Sequence, residues 1–181
     1  MDMNKLMVIA CLVWISSAAN ATQPSSNEWR GWATVGEAQL SMLFFDIYQS
    51  ELLSPSGSYS VEQDVTPHPL ALSITYQRDI SQKQLLDATV DQWQKLGFNG
   101  TDTVLWADTL STIFPDIEEG HNITYVTNGQ QGQFFHADQA SSSKLIGVIE
   151  DEAFNDAFLS IWLSPNTDYP KLRQGLIGNN R

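Results

Sequence analysis

The stretch from Leu145 to Gly178 constrains the fold of this chain more than any other. It opens with a short apolar strand, Leu145 to Ile149. Glu150, Asp151 and Glu152 follow where a helix begins, since free amides and the positive dipole end favour carboxylates there. Phe154, Ala157, Phe158, Ile161 and Trp162 then recur at the i, i+3, i+4, i+7, i+8 spacing of one apolar helix face. Pro165 stops that helix, and Asp168-Tyr169-Pro170 starts another whose Leu172 and Leu176 share a face. The unit reads as a strand and two helices packed on a core.

The 181 residues suit one domain with a core large enough to need no metal or disulfide staple. Its start reads as a targeting segment. Lys5, the apolar run Leu6 to Ile15 and the Ala19-Asn20-Ala21 site predict a signal peptide over residues 1–21, leaving a domain over 22–181. The destination expected is the periplasm. Val8-Ile9-Ala10-Cys11 offers a rival lipoprotein box, but the apolar run continues past Cys11 to Ile15, which suits a cleaved signal. Cys11 is the only cysteine, so the mature chain is expected to have no disulfide and no cysteine chemistry. A net charge of −12 speaks against nucleic acid or an anionic membrane surface as a partner. No stable membrane insertion of the mature chain is expected.

Along the chain, Trp32 to Tyr48 reads as two β segments. Glu37, Gln39 and Ser41 alternate with Ala38, Leu40 and Met42, as in a strand with one wet face. The denser run Leu43-Phe44-Phe45, with Ile47 and Tyr48, predicts burial on both faces beyond that point. Ser54 to Ser58 is a turn, and Leu70 to Tyr76 a strand with Leu70, Leu72, Ile74 and Tyr76 on one face. A first helix carries a Ser81/Gln84 capping box, an Ile80/Leu85 staple, the stripe Leu86, Val90, Trp93 and a following Gly97. A second spans about Asp102 to Phe114, with Trp106, Leu110, Ile113 and Phe114 inward. Asn122 to Thr127 and Gln133 to His136 form a hairpin around Asn128-Gly129. The order β-β-β-α-α-β-β-β-α-α predicts an α+β domain, an antiparallel sheet with helices packed on one face.

Motifs for chemistry are sparse. His68, His121 and His136 are far apart in sequence and read as surface residues; His136 with Asp138 is too few for a metal site. No serine sits in a G-x-S-x-G elbow, and no phosphate or dinucleotide loop is present, so neither metal nor cofactor is expected. Asp116, Glu118 and Glu119 read as a solvated turn. Arg30 and Arg78 remain as cations near strand ends, and Tyr76 shares a side with Arg78 if the strand persists. A guanidinium reaching a cleft would hold an acid or enolate.

Three blocks carry a resemblance over about Trp29 to Gly178: Gly36 through Phe44-Phe45-Asp46-Ile47-Tyr48, Leu70 to Ser81, and the C-terminal unit. The chain resembles the chalcone isomerase-like family, and its bacterial exported branch in particular. The resemblance implies an open-faced β-sandwich with a ligand cleft between the large sheet and the helices. It implies plant relatives of two kinds, enzymes that cyclise chalcones and proteins that bind fatty acids without catalysis. In the enzymes an arginine on the first core strand, a strand threonine, a tyrosine and asparagine around the first helix and a polar residue in the penultimate helix serve the reaction. Arg30 is similar to that arginine, though its distance to Tyr48 differs by about one residue. The threonine falls on Met42 or Leu43, the first helix has neither Tyr nor Asn, and the last polar position is Ile161, followed by Trp162. Losing one such donor costs roughly 3–4 kcal/mol of transition-state stabilisation. The expectation is therefore a non-catalytic binder of a small apolar ligand such as a fatty acid. Arg30 or Arg78 would pair an acidic head group, and Trp93, Ile161 and Trp162 would line the pocket. The alternatives are an isomerase of unsaturated ketones, using Tyr76 beside Arg78, and an envelope interaction module.

Overall fold

Leu70, Leu72, Ile74 and Tyr76 are buried on one face of their strand, as their alternation requires, and the sheet is built around them. The computed structural model describes residues 28–61, 64–139 and 142–179. The signal peptide expected over 1–21 lies outside them. Six strands, β1 (Ala33–Met42), β2 (Phe45–Ser54), β3 (Leu70–Tyr76), β4 (Asn122–Thr127), β5 (Gly132–Ala137) and β6 (Lys144–Ile149), pair antiparallel in sequence order. Helices α1 (Gln82–Lys95) and α2 (Thr101–Ile113) lie between β3 and β4, and α3 (Glu152–Leu163) and α4 (Pro170–Leu176) close the chain. The main core is shared by the four helices and one sheet face; the reverse face carries a small cluster of Leu53, Ala71, Val126 and Phe135 under Trp29 and Trp32. The α+β architecture and the element order are those the sequence predicts.

The predicted helix ends hold. Ser81 and Gln84 make both bonds of the capping box at α1, and the Asp151 carboxylate accepts from Phe154 N at α3. The Asp116 carboxylate also accepts from Gln82 N, so this member of the expected solvated turn ties the helix pair together. Glycine does what no other residue could where α4 meets β1. A Cβ at Gly36 would collide with the Gly175 carbonyl, and one at Gly175 would lie 2.7 Å from the Glu37 carbonyl oxygen. Backbone rests on backbone.

One expectation fails. The run Leu43-Phe44-Phe45 is not covered on both faces but forms the tip of the β1–β2 hairpin, with Leu43 and Phe44 93% and 98% exposed. Leu43 takes a left-handed φ of 57°, and its neighbours are pushed into water by the tight turn. Density of apolar residues carried the burial prediction, and turn geometry overrides it. Nearby, register passes from Leu40↔Tyr48 to Ser41↔Asp46, which leaves Ile47 as the extra residue of a β-bulge. A left-handed leucine costs about 1–2 kcal/mol against residues that tolerate this region. Leu43→Asn is expected to raise stability by roughly 0.5–1 kcal/mol in urea denaturation.

In the first turn of α3 the fully buried Asn155 joins three segments. Its Oδ1 accepts from Tyr125 Oη at 2.9 Å, and its Nδ2 donates to Thr66 Oγ1 at 3.1 Å. Thr66 Oγ1 in turn donates to Asp156. Desolvation raises the Asp156 pKa above 3.8, helped by Asp64 and Glu152 and opposed by the bonds from Thr66 and Asn155. The folded state thus holds this proton more tightly than the unfolded chain. Stability from this group is present below the unfolded pKa and falls as pH rises through the folded one. Asp156→Asn should raise the melting temperature at neutral pH, and the gain should vanish at pH values below about 3.9, where both states are protonated.

Candidate functional site

A cavity of about 180 Å³ opens between the β1–β4 part of the sheet and helices α1 and α3. Its sheet wall consists of Leu40 and Met42 of β1, Ile47 and Tyr48 of β2, the three side chains Leu72, Ile74 and Tyr76 of β3, and Ile123 and Tyr125 of β4. The bulge allows Ile47 and Tyr48, adjacent in sequence, both to line it. Gln84, Leu85, Ala88, Thr89 and Gln92 come from α1, and Phe158, Ile161 and Trp162 from α3. None of the described residues lining the cavity is Asp, Glu, His, Lys or Arg.

Polar atoms in this wall are few and specific. The Trp162 indole Nε1 donates to the Tyr48 hydroxyl at 2.9 Å, joining α3 to β2 across the cavity wall. Tyr48 pairs with Tyr76 across the strands, and their rings meet edge to face at 6.0 Å. Burial pushes both phenols well above the usual tyrosine range, so both are neutral O–H donors at physiological pH. Among the described residues neither hydroxyl donates to a partner. The buried Gln92 amide oxygen likewise has no partner among the described residues.

The structure separates the residues that the sequence singled out. Tyr76, Ile161 and Trp162 meet at the cavity. Trp93 does not: it is fully buried, donates to the Ala157 carbonyl at 2.9 Å and packs its ring edge-on against Phe154 and Trp106. Its place in the apolar stripe made it core. Arg30 also falls elsewhere, in a short 3-10 turn (Glu28–Gly31) over the Trp29 ring, which packs on Phe135 of the reverse face. The sheet stands between Arg30 and the cavity, because the chain reaches β1 from the opposite face. Arg78 sits over the exposed Phe45 ring at the hairpin tip, outside the cavity lining.

Tyr48, Gln92 and Tyr125 are cavity residues that sequence reasoning missed. Thr89 and Gln92 lie outside the predicted stripe Leu86, Val90, Trp93, although Gln84, Ala88 and Gln92 at i, i+4, i+8 share a face of α1. Histidine placement also differs from expectation. His121 and His136 meet with Nδ1 and Nε2 at 3.2 Å, because the β4–β5 pairing brings their strand ends together. Burial first, then His121, lowers the His136 pKa. No group of three or more possible ligands that could hold a metal occurs among the described residues.

A six-stranded antiparallel sheet with helices on one face and an apolar cavity between the layers defines an open-faced α+β fold. Residues 36–178 match the family model described as chalcone isomerase-like, and the chain belongs to that family. It is also 28% identical over 150 residues to an uncharacterized protein of Haemophilus influenzae, covering 83% of this chain and 70% of that one.

Ile161 is buried against the core on one side and the cavity on the other. Ile161→Ala should cost about 2–3 kcal/mol in denaturant unfolding, at the lower end of the range for buried isoleucine. Part of the side chain already faces open space, so fewer contacts are lost.

Proposed function

We propose that the protein is a non-catalytic binder of a small apolar molecule, held between the sheet and helices α1 and α3. The observation that carries this reading is the cavity itself, apolar on nearly every side and lined by no acid, base or cation among the described residues. Its 180 Å³ compares with the ~150 Å³ apolar hole that is known to take benzene, so the enclosed part suits one ring or a short alkyl segment. A fatty acid would place only part of its chain inside and leave its carboxylate in water, on the side of Met42 and Arg78. Cyclisation that builds charge on a ketone oxygen gains most from a cation aimed at it. Arg30, which resembles the family's arginine, lies across the sheet from the cavity. That favours binding over the isomerase reading. Export completes the proposal, since residues 1–21 have the charge, apolar run and cleavage site of a signal peptide.

Ethylbenzene matches the enclosed space and carries no polar group. Its titration into the ¹⁵N-labelled protein should shift amides of β2, β3 and α1 saturably. Ala88 is exposed at the cavity edge, so Ala88→Trp can block the space with little change in melting temperature. This variant should lose the shifts. Equal shifts in the blocked variant would sink the assignment of the cavity as the binding site. Native mass spectrometry of protein from its own host should show a small apolar adduct.

A further inference from the structure

Leu43 and Phe44 form the turn of the β1–β2 hairpin, and the pair behind them, Met42↔Phe45, is 54% and 62% exposed. The next pair is polar, with Ser41 Oγ donating to the Asp46 carboxylate at 2.6 Å. The hairpin therefore ends in an apolar cap with a sharp polar collar beneath it. Two-residue hairpin turns ordinarily carry Asn, Asp or Gly, which tolerate both positive φ and water. Here Leu43 is the only non-glycine with positive φ among the described residues. Holding apolar side chains in water on a strained backbone costs stability, and features of this kind mark sites of interaction.

We propose that this tip is a lipid-docking wedge that inserts reversibly into the interface of a zwitterionic phospholipid bilayer. Area and shape favour a bilayer over a second protein. The cap offers roughly 500 Å² of apolar surface on a convex knob. That is below the ~800 Å² that each partner commits to a stable protein interface. A fluid bilayer needs no matching pocket. Charge selects the lipid. Arg78 Cζ lies 5.7 Å from the Phe45 ring centroid, so its guanidinium stands at phosphate level once the ring enters the acyl boundary. Asp46, Asp79, Glu118 and Glu119 stand at the same end of the sheet, and the chain carries a net charge of −12. An anionic surface would repel this end, and so would a second copy of the chain, whereas a neutral headgroup layer does not. Docking at the tip is independent of what the cavity holds.

Purified from its own host, the protein should co-sediment with phosphatidylcholine vesicles, and admixed phosphatidylglycerol should weaken that binding at low salt. In phosphocholine bicelles carrying a paramagnetic acyl-chain label, broadening should centre on the amides of residues 42–46. Leu43→Asn relieves the strained φ and is expected to be the more stable chain, so binding lost in it does not report unfolding. Combined with Phe44→Ser, it should lower vesicle partitioning more than tenfold. Equal sedimentation of the double variant, or broadening centred elsewhere, would overturn the wedge. Binding to neither vesicle, or only to phosphatidylglycerol and lost in high salt, would overturn it too. A dimer formed by the wild type and lost in the variant would make a second copy the occupant and overturn the bilayer. Each of these failures leaves the ethylbenzene result untouched.

Discussion

Everything at the cavity depends on the backbone of α4 lying directly on the backbone of β1. Only hydrogen separates the chains where Gly36 meets Gly175, and Gly178 approaches the Val35 carbonyl in the same way. This contact anchors the C-terminal helix to the edge strand and thereby fixes the turn before it. In that turn Thr167 Oγ1 donates to the Ile161 carbonyl at 2.6 Å, and Arg173 Nε donates to the Leu163 carbonyl at 2.7 Å. The carbonyls freed at the end of α3 are met by α4 and its leader. Trp162 is thus held at an angle from which its indole reaches Tyr48.

The same arrangement explains why space remains at one end of the layer and not the other. Toward β4 and β5, Phe114, Tyr125, Phe134 and Phe158 fill the gap between sheet and helices with ring-on-ring contacts at 4.6 to 6.4 Å. Toward β1 and β2, the large Tyr48, Tyr76 and Trp162 share the wall with the shorter Leu40, Ile47, Ala88 and Thr89. Helices α1 and α3 are kept apart from the sheet by the aromatic end, and the smaller residues at the other end do not close the gap. The cavity follows from side-chain volume on a rigid frame.

Local rules made the frame legible in the sequence. Capping at Ser81 and Asp151, the alternation in β3 and the stripe on α3 each report short-range physics, and each holds in the structure. The site was only half legible. Tyr76, Ile161 and Trp162 could be placed because they lie on faces whose partners are implied by periodicity. Arg30 could not, since nothing local says from which side the chain enters the sheet. Tyr48 was hidden by the Ile47 bulge, which breaks strict alternation, and Gln92 by its polarity. The exposed Leu43 and Phe44 show the converse: apolar character does not fix burial where a tight turn turns the backbone outward.

The strand order has a consequence for how this chain reaches its fold. Every strand pairs with its neighbour in sequence, so five pairings build the whole sheet. Three of them close over short connections and β2–β3 over the longer stretch 55–69, but β3 and β4 meet only after the chain has travelled from Tyr76 to Asn122 through α1 and α2. Closing that loop carries the largest entropic penalty of the assembly. The bond from Gln82 Nε2 to the Phe114 carbonyl at 2.6 Å and the Ile80↔Ile117 bridge pin the two ends of the helical insert together. An insert folded back on itself presents a much shorter effective loop. The two halves of the sheet can then join as preformed hairpin layers, with the slow step concentrated at one seam.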